Sequence, residues 1–242
     1  MVAEIRIEFT ILKLKPLRCI ILNMKFVFPF LFVLLVFSCA SAKHQPGGEN
    51  FIADADPFQI ASTPIMFTRI FSSQLAQRDV PLTFIPRTNE VYLQFSHETL
   101  VNRQFWDRNN REKLISAVTQ YLKDFDERRL NRNARNSDRA YGVLSGKLEW
   151  GQFAFAITMN SRSFPQIHVG YQFVGNTPYF TITQRDAEDT LNGDSRRSLR
   201  MTLFFTRAQA AELASFFDQD FILGALEEQG VQLFQESERD VY

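Results

Sequence analysis

The chain has 242 residues, with 27 basic and 27 acidic side chains and a formal net charge of zero at pH 7. This balance excludes the general attraction to nucleic acid that a strongly basic protein shows. The two cysteines, Cys19 and Cys39, both precede the region expected to fold, which excludes a disulfide within that region.

Residues 24–39 carry the clearest signal in the sequence. Lys25 supplies a positive charge, the apolar stretch Phe26–Phe37 follows with about 12 residues, and the small residue Ser38 precedes Cys39. A signal peptide has an apolar region of roughly 7 to 15 residues, whereas a membrane-spanning helix needs roughly 20. We therefore predict export, with residues 1–39 as a signal segment and Met24 as an alternative start.

The run Val36-Phe37-Ser38-Cys39 resembles the cleavage box of bacterial lipoproteins. This resemblance implies cleavage before Cys39, lipidation of Cys39 and attachment of the protein to a cell-envelope membrane through its N-terminal lipid. Two alternatives remain open from the same residues. Cleavage after Ala42 would release a soluble periplasmic or secreted protein, and an uncleaved segment would stay as a membrane anchor.

The remaining chain is long enough for one domain. Residues 40–60 are polar and rich in turn formers, so we predict a flexible tether there. We expect residues 61–234 to form a single α+β domain and residues 235–242 to form a frayed tail.

The first elements are a hairpin and a helix. Leu82–Ile85 and Val91–Phe95 are apolar runs around a short polar loop, which predicts a β-hairpin. In Arg111–Leu130 the apolar residues recur every three or four positions, which predicts an amphipathic helix. Asn109 is a candidate for its N-cap. The apolar run Pro64–Phe71 fits a strand or a short helix equally well.

Residues 140–205 alternate between apolar and polar side chains and are interrupted by turns, which indicates antiparallel strands. The predicted strands are Tyr141–Trp150, Phe153–Met159, Ile167–Phe173, Tyr179–Gln184 and Leu199–Phe205. A capping box at Thr206–Gln209 and an apolar stripe then predict a helix, and Phe221–Gln229 predicts another that ends at Gly230. The predicted fold is α+β, an antiparallel meander sheet of about five to seven strands with two or three amphipathic helices packed on one face.

No catalytic signature is present, and we assign no catalytic residue, metal ligand or cofactor. His97 and His168 are the only histidines in the predicted domain, and neither lies in a nucleophile or zinc motif. The sequence thus favours a binding or scaffolding domain over an enzyme. The alternative is a secreted or periplasmic hydrolase that uses His97 or His168 with a carboxylate.

Two groups of residues are candidates for binding. Five arginines interleaved with asparagines follow the first helix, and guanidinium groups favour phosphate or carboxylate. The candidate anion-binding residues are Arg128, Arg129, Arg132, Arg135 and Arg139. Trp106 and Trp150 are candidates for an aromatic binding surface, although such residues more often fill the edge of a core. We expect an envelope protein or polymer as partner and no nucleic acid.

Overall fold

A single antiparallel sheet of ten strands forms the centre of the computed structural model, which describes residues 50–68, 74–97, 100–153, 157–192 and 195–231. The strands stand in the order β5-β8-β9-β10-β1-β2-β3-β4-β6-β7, and the sheet forms a half-barrel. Within these residues no helix is both long and apolar enough to cross a membrane.

The elements have the following bounds. The strands are β1 Phe58–Thr68, β2 Leu75–Ile85, β3 Glu90–His97, β4 Leu100–Trp106, β5 Gly142–Ser145, β6 Lys147–Phe153, β7 Ile157–Ser163, β8 Gln166–Val174, β9 Thr177–Gln184 and β10 Met201–Phe205. The α-helices are α1 Arg108–Asp126, α2 Arg207–Phe217 and α3 Gln219–Glu228, and a single 3-10 turn covers Ser137–Arg139.

The predicted fold, a meander of five to seven strands with helices packed on one face, is wrong. The sheet has ten strands, and it curves as a half-barrel instead of presenting one flat face. It is also not a meander throughout, since β5 pairs with β8, β4 with β6 and β1 with β10. The predicted strand Tyr141–Trp150 is in fact two strands, β5 and β6, with different partners.

Beyond the division of Tyr141–Trp150, the missing strands are β1 and β4, and β2 is longer than predicted. β1 begins at Phe58, three residues before the predicted start of the domain, and includes the first part of the ambiguous run Pro64–Phe71. β2 extends to the N-terminal side of the predicted hairpin, where its residues Gln77–Asp79 are exposed. β4 was not predicted at all, because polar residues on both faces hide its alternation. The hairpin between β2 and β3 is confirmed.

The predicted helices are confirmed, with changes at their ends. α1 begins at Arg108, and its N-cap is Asp107 rather than Asn109: the Asp107 carboxylate accepts a hydrogen bond from the Asn110 N–H at 2.7 Å. The capping box of α2 is formed by Thr206 and Gln209. Gly230 follows α3 with φ of 69°, the left-handed conformation that ends many helices.

The buried sides of the helices join the inner face of the sheet in one core cluster. α1 contacts β4, near one end of the strand order, and also β5 and β8, at the other end. The curvature of the sheet allows one helix to contact both ends. Trp106 on β4 packs against Phe217 of α2 with ring centroids 5.6 Å apart. The fully buried Trp106 thereby joins the last strand before α1 to the helical layer.

Candidate functional site

The arginine-rich segment begins where α1 ends. Arg128 has φ of 55°, a left-handed conformation that turns the chain away from the helix axis. All five predicted anion-binding arginines are exposed: Arg128, Arg129, Arg132, Arg135 and Arg139. The structure thus places them together on one surface segment, which we call the arginine segment and which covers residues 128–139.

The arginines differ in how far their charge is already neutralised. Arg129 pairs with the carboxylates of Asp124 and Glu127. Arg132 and Arg139 donate to neutral asparagine oxygens, at 3.2 and 3.0 Å. In the part of the chain that the structure describes, the side chains of Arg128 and Arg135 make no hydrogen bond or ion pair, so their charge is open to an anion.

Tyrosine side chains fix the beginning of the arginine segment to the domain. The Tyr171 hydroxyl donates to the Asn131 carbonyl oxygen at 3.2 Å and accepts from the Asn131 N–H at 3.3 Å. The Tyr141 hydroxyl donates to Asp124 at 3.1 Å. Burial and the neighbouring Asp124 carboxylate both raise the pKa of Tyr141 above its ordinary value, because each disfavours the phenolate.

The later part of the segment lies directly on β8. A Cβ added at Gly170 would come within 2.0 Å of the Ser137 carbonyl oxygen, so the two backbones meet where only a glycine fits. His168, two residues earlier on the same side of β8, is buried, and its Nδ1 lies 3.1 Å from Asp138 Oδ2. His168 therefore links the segment to the sheet. The other predicted histidine, His97, is the last residue of β3. Four strands separate β3 from β8 in the sheet order, so His97 and His168 are not on neighbouring strands.

An apolar groove lies beside Arg128. It has a volume of about 400 Å³, with a floor of Phe125, Leu130, Phe173 and Pro178 and with Asp126 and Arg128 at its rim. Asp126 is neutralised by a two-point ion pair with Arg207 of α2, at 2.9 and 2.8 Å. The groove thus combines an apolar floor with the unpaired cation of Arg128, and we call it the Arg128 groove.

The two tryptophans do not form an exposed surface. Trp106 is fully buried and Trp150 is 8% exposed, so the predicted aromatic binding surface is not on the outside of the domain. Both indoles face the inside of the half-barrel. Trp106 lies in the core, and Asn102 lies four residues before Trp106 on the same face of β4. Trp150 is the cross-strand partner of Asn102 and therefore projects from that face too. Both indole N–H groups are buried without an acceptor.

Polar side chains share this inner face in two rows across β4, β6 and β7. Asn102 pairs with Trp150, which pairs with Ser161; Gln104 pairs with Leu148, which pairs with Ser163. Directly opposed residues of antiparallel strands project from the same face. We call the inward-facing polar groups the interior polar cluster: Asn102, Gln104, Trp106, Trp150, Ser161, Ser163 and Gln184.

Gln184 belongs to the cluster although it comes from a distant strand. It lies on β9, and its Oε1 accepts from Gln104 Nε2 at a long 3.4 Å, while its Nε2 donates to the Leu199 carbonyl at 3.0 Å. β9 and β4 are separated by four strands in the sheet order. The contact between the two glutamines therefore spans the inside of the half-barrel.

The cluster leaves six polar atoms without a hydrogen bond, which are Asn102 Nδ2, Gln104 Oε1, Trp106 Nε1, Trp150 Nε1, Ser161 Oγ and Ser163 Oγ. Ser161 lies close to the Asp189 carboxylate, but the two atoms do not complete a well-aligned bond. A buried polar atom without a partner costs about 1–3 kcal/mol.

A loop segment closes the edge of the sheet beside this cluster. β7 is the last strand, and its outer edge is bonded by residues 189–192, which we call the β7 clasp. The Thr190 N–H donates to the Arg162 carbonyl at 2.7 Å, and the Arg162 N–H donates to Asp189 at 3.1 Å. Asn192 Nδ2 donates to the Asn160 carbonyl at 2.6 Å. With the bond that Thr190 Oγ1 donates to the Arg162 carbonyl at 3.0 Å, four described hydrogen bonds join the clasp to β7.

Asp189 is the buried centre of this clasp. Burial by itself would raise the pKa of its carboxyl, but the hydrogen bonds donated by the Asn192 side chain and by the backbone N–H groups of Leu191 and Arg162 outweigh it and lower the pKa below the ordinary range. Asp189 is therefore ionised at neutral pH. Its carboxylate orders the loop rather than facing solvent.

The remaining predicted site residues carry less information. Cys39 and the rest of the signal segment lie outside the described residues, as does the side chain of His97. Among the described residues no group of three or more histidine, cysteine, aspartate or glutamate side chains is arranged to hold a metal ion.

The fold and these sites define a domain with one curved sheet, an arginine-bearing surface groove and a polar interior. A family described as "Uncharacterised Treponema protein" matches residues 57–224, and the chain belongs to this family. The match begins one residue before β1 and ends within α3, so it covers the whole sheet.

One similar protein comes from Treponema pallidum (strain Nichols) and carries the name "Uncharacterized protein". It is 28% identical over 156 residues, which are 64% of this chain and 54% of the relative. The chain therefore spans about half the length of the curated relative that it matches. No solved structure matches the chain.

Proposed function

We propose that this chain is an exported protein, anchored to a cell-envelope membrane through a lipid on Cys39, and that its domain acts by binding rather than by catalysis. The sequence of residues 24–39 supports the export and the lipid, since its apolar run is too short to span a bilayer and ends at a cysteine. The Arg128 groove supports the binding role.

One observation carries the binding proposal: Arg128 has no partner among the described residues and stands at the rim of an apolar groove. Arg135, also unpaired, lies on the same segment. A guanidinium group favours carboxylate and phosphate, and an apolar floor favours a partner with a hydrophobic group. We expect an anionic envelope polymer or a protein segment that presents an acidic group beside an apolar one.

The anchor is tested by mass spectrometry of the native N-terminus. A chain that begins at a lipid-modified Cys39 supports the proposal. A chain that begins at Lys43, or an uncut chain, contradicts the lipid anchor, and each gives its own mass. The result is independent of the binding test, because the signal segment is no part of the groove.

The binding role is tested with two anionic polymers, polyglutamate and polyphosphate. We expect binding that weakens with salt, and a loss of about five- to tenfold in affinity in the double variant Arg128→Gln, Arg135→Gln, as two surface charges are removed. The control is Arg197→Gln, another exposed arginine that is already paired with Asp186 and Glu188. Equal losses in both variants would indicate a nonspecific charge effect and would contradict the site.

The hydrolase alternative also has a direct test. If His168 acts as a base, the variant His168→Gln should abolish an ester- or amide-hydrolysing activity of the exported protein, and His97→Gln tests the other histidine. The ring of His168 is buried and its Nδ1 is already engaged by Asp138, which favours the linking role described above. We therefore prefer the binding proposal.

A further inference from the structure

We infer that Arg207 determines the selectivity of the Arg128 groove for anions, because it cancels the negative charge of Asp126 at the rim of the groove. This inference rests on the proposed function of the groove, to which it adds a second arginine. Arg207 is the first residue of α2 and is not among the described residues that line the groove. It therefore acts through Asp126 and not by contact with the ligand.

The rim of the groove carries two charges of opposite sign. Asp126, the last residue of α1, and Arg128 both line it. An anion that approaches Arg128 is repelled by Asp126 unless another cation cancels that carboxylate. With Asp126 uncancelled, the two charges of the rim sum to zero, and the groove has no net attraction for an anion.

The contacts of Arg207 hold its charge on Asp126. Its Nε and Nη2 donate to the two carboxylate oxygens of Asp126 at 2.9 and 2.8 Å, a two-point geometry that a guanidinium group provides and an ammonium group does not. The guanidinium also lies over the ring of Phe125, 5.9 Å from its centroid, and Phe125 belongs to the apolar floor of the groove. These contacts leave Arg128 as the unpaired cation of the rim.

Asp126 keeps its negative charge at neutral pH. The hydrogen bonds from Arg207, together with its positive charge, lower the pKa of Asp126 below the ordinary value. An aspartate with an ordinary pKa is already ionised at pH 7, so the carboxylate is charged with or without Arg207. The charge at the rim is therefore cancelled by the ion pair and not by protonation.

The ion pair is not placed to stabilise the helices that carry it. Asp126 ends α1, where the helix dipole favours a cation, and Arg207 begins α2, where the dipole favours an anion. Each charge thus stands at the unfavourable end of its own helix. Both side chains are also about half exposed, and an exposed ion pair contributes little to stability. The charge of the groove accounts for this arrangement better than the stability of the helices does.

Calorimetric titration with polyglutamate tests the inference through changes of opposite sign. Arg207→Gln leaves Asp126 uncancelled and should weaken binding about three- to fivefold, as expected for one partly screened surface charge. Asp126→Asn removes the rim carboxylate and should strengthen binding by a similar factor. The double variant Asp126→Asn, Arg207→Gln should bind as the native chain does. Arg207→Lys keeps the charge and should keep most of the affinity.

Arg108→Gln is the matched control. It removes the same charge and leaves the carboxylate of Glu112 uncancelled, but this pair lies at the beginning of α1. Residues 108 and 126 are about 27 Å apart along the helix axis at about 1.5 Å per residue, which is about three Debye lengths at physiological salt. Arg108→Gln should therefore leave polyglutamate binding unchanged, and it separates an effect at the groove from a change in net charge.

The outcomes distinguish this inference from the proposed function. A native chain that binds neither polyglutamate nor polyphosphate contradicts the proposed function and the inference with it. Native binding that is unchanged in Arg207→Gln, or weakened equally in Arg108→Gln, contradicts the inference alone. Weaker binding in Asp126→Asn would also overturn it, because the ion pair would then hold the shape of the groove and not set its charge. Asp126→Asn gives this test even if Arg207→Gln does not fold.

Discussion

Arg111 Nη2 lies 2.7 Å from Asn89 Oδ1, so a buried guanidinium of α1 holds the turn between β2 and β3. The same side chain donates to Gln219 at 2.9 Å and to the Phe217 carbonyl at 3.3 Å, at the junction of α2 and α3. Burial and the nearby Arg108 lower the pKa of Arg111 to about 10, which still leaves it protonated at neutral pH. One charge thus joins three parts of the fold.

Replacing this arginine should destabilise the domain. Arg111→Met keeps most of the side-chain volume but leaves the oxygens of Asn89, Gln219 and Phe217 without a donor. We expect a loss of about 2–3 kcal/mol in the free energy of unfolding, measured by chemical denaturation. The control is Arg108→Met, an exposed residue whose pair with Glu112 is worth about 0.5 kcal/mol or less. Similar losses in both variants would contradict the joining role of Arg111.

Gly170 should tolerate no side chain. In Gly170→Ala the new Cβ would approach the Ser137 oxygen at 2.0 Å, so the arginine segment has to move away from β8. We expect a loss of about 1–3 kcal/mol in stability and weaker binding of polyphosphate. Gly224→Ala is the control: its Cβ meets nothing within 4 Å inside α3, and the change should stabilise the helix by about 0.5–1 kcal/mol. Unchanged stability in Gly170→Ala would show that the segment does not rest on β8.

The β7 clasp should respond to acid. The pKa of Asp189 is lower in the folded than in the unfolded protein, so its contribution to stability is complete above the unfolded pKa of about 4 and is lost as the pH falls further. Asp189→Asn should therefore be less stable than the native chain at pH 7, and the difference should shrink at about pH 3. Denaturation curves at both values test this, and a difference that grows in acid would contradict it.

Two phenols, the buried Tyr121 and the half-buried Tyr141, should resist alkali. Burial raises the pKa of Tyr121 to about 12, and burial with the Asp124 carboxylate raises that of Tyr141 further. Because the folded pKa exceeds the unfolded value of about 10, stability is complete below that value and declines as the pH rises above it. An absorbance titration of the six tyrosines should show these two ionising late. Ionisation of all six together near pH 10 in the folded protein would contradict the assignment.

The sequence predicted the helices well, because their signals are local. The apolar stripe of α1 and the capping box at Thr206 need only a few neighbouring residues, and both are present. The sheet was predicted less well. β4 contains Asn102 and Gln104 on its inner face, so the side chains on its buried side do not form an apolar pattern. The pairing of β5 with β8 depends on residues far along the chain. Pairing of this kind is set by tertiary contacts.

The candidate sites also differ in whether a local sequence signal or only the tertiary structure identifies them. The arginines after α1 stand out as a charge cluster, and their exposure agrees with that interpretation. The interior polar cluster gave no comparable signal, since Ser161, Ser163 and Gln184 are ordinary residues until the strands bring them to one face. The alternation of Asn102, Gln104 and Trp106 along β4 was the one available clue, because hydrogen-bonding groups two residues apart project from a single face.

An open sheet has two free margins at which other chains can add strands, and this route to self-association is a liability of long sheets. The margin at β5 is only four residues long, and the margin at β7 is already occupied by the backbone of Thr190. Crowding this domain at high local density should therefore not produce fibrils through its sheet, and a chain lacking residues 189–192 should aggregate where the intact chain stays monodisperse.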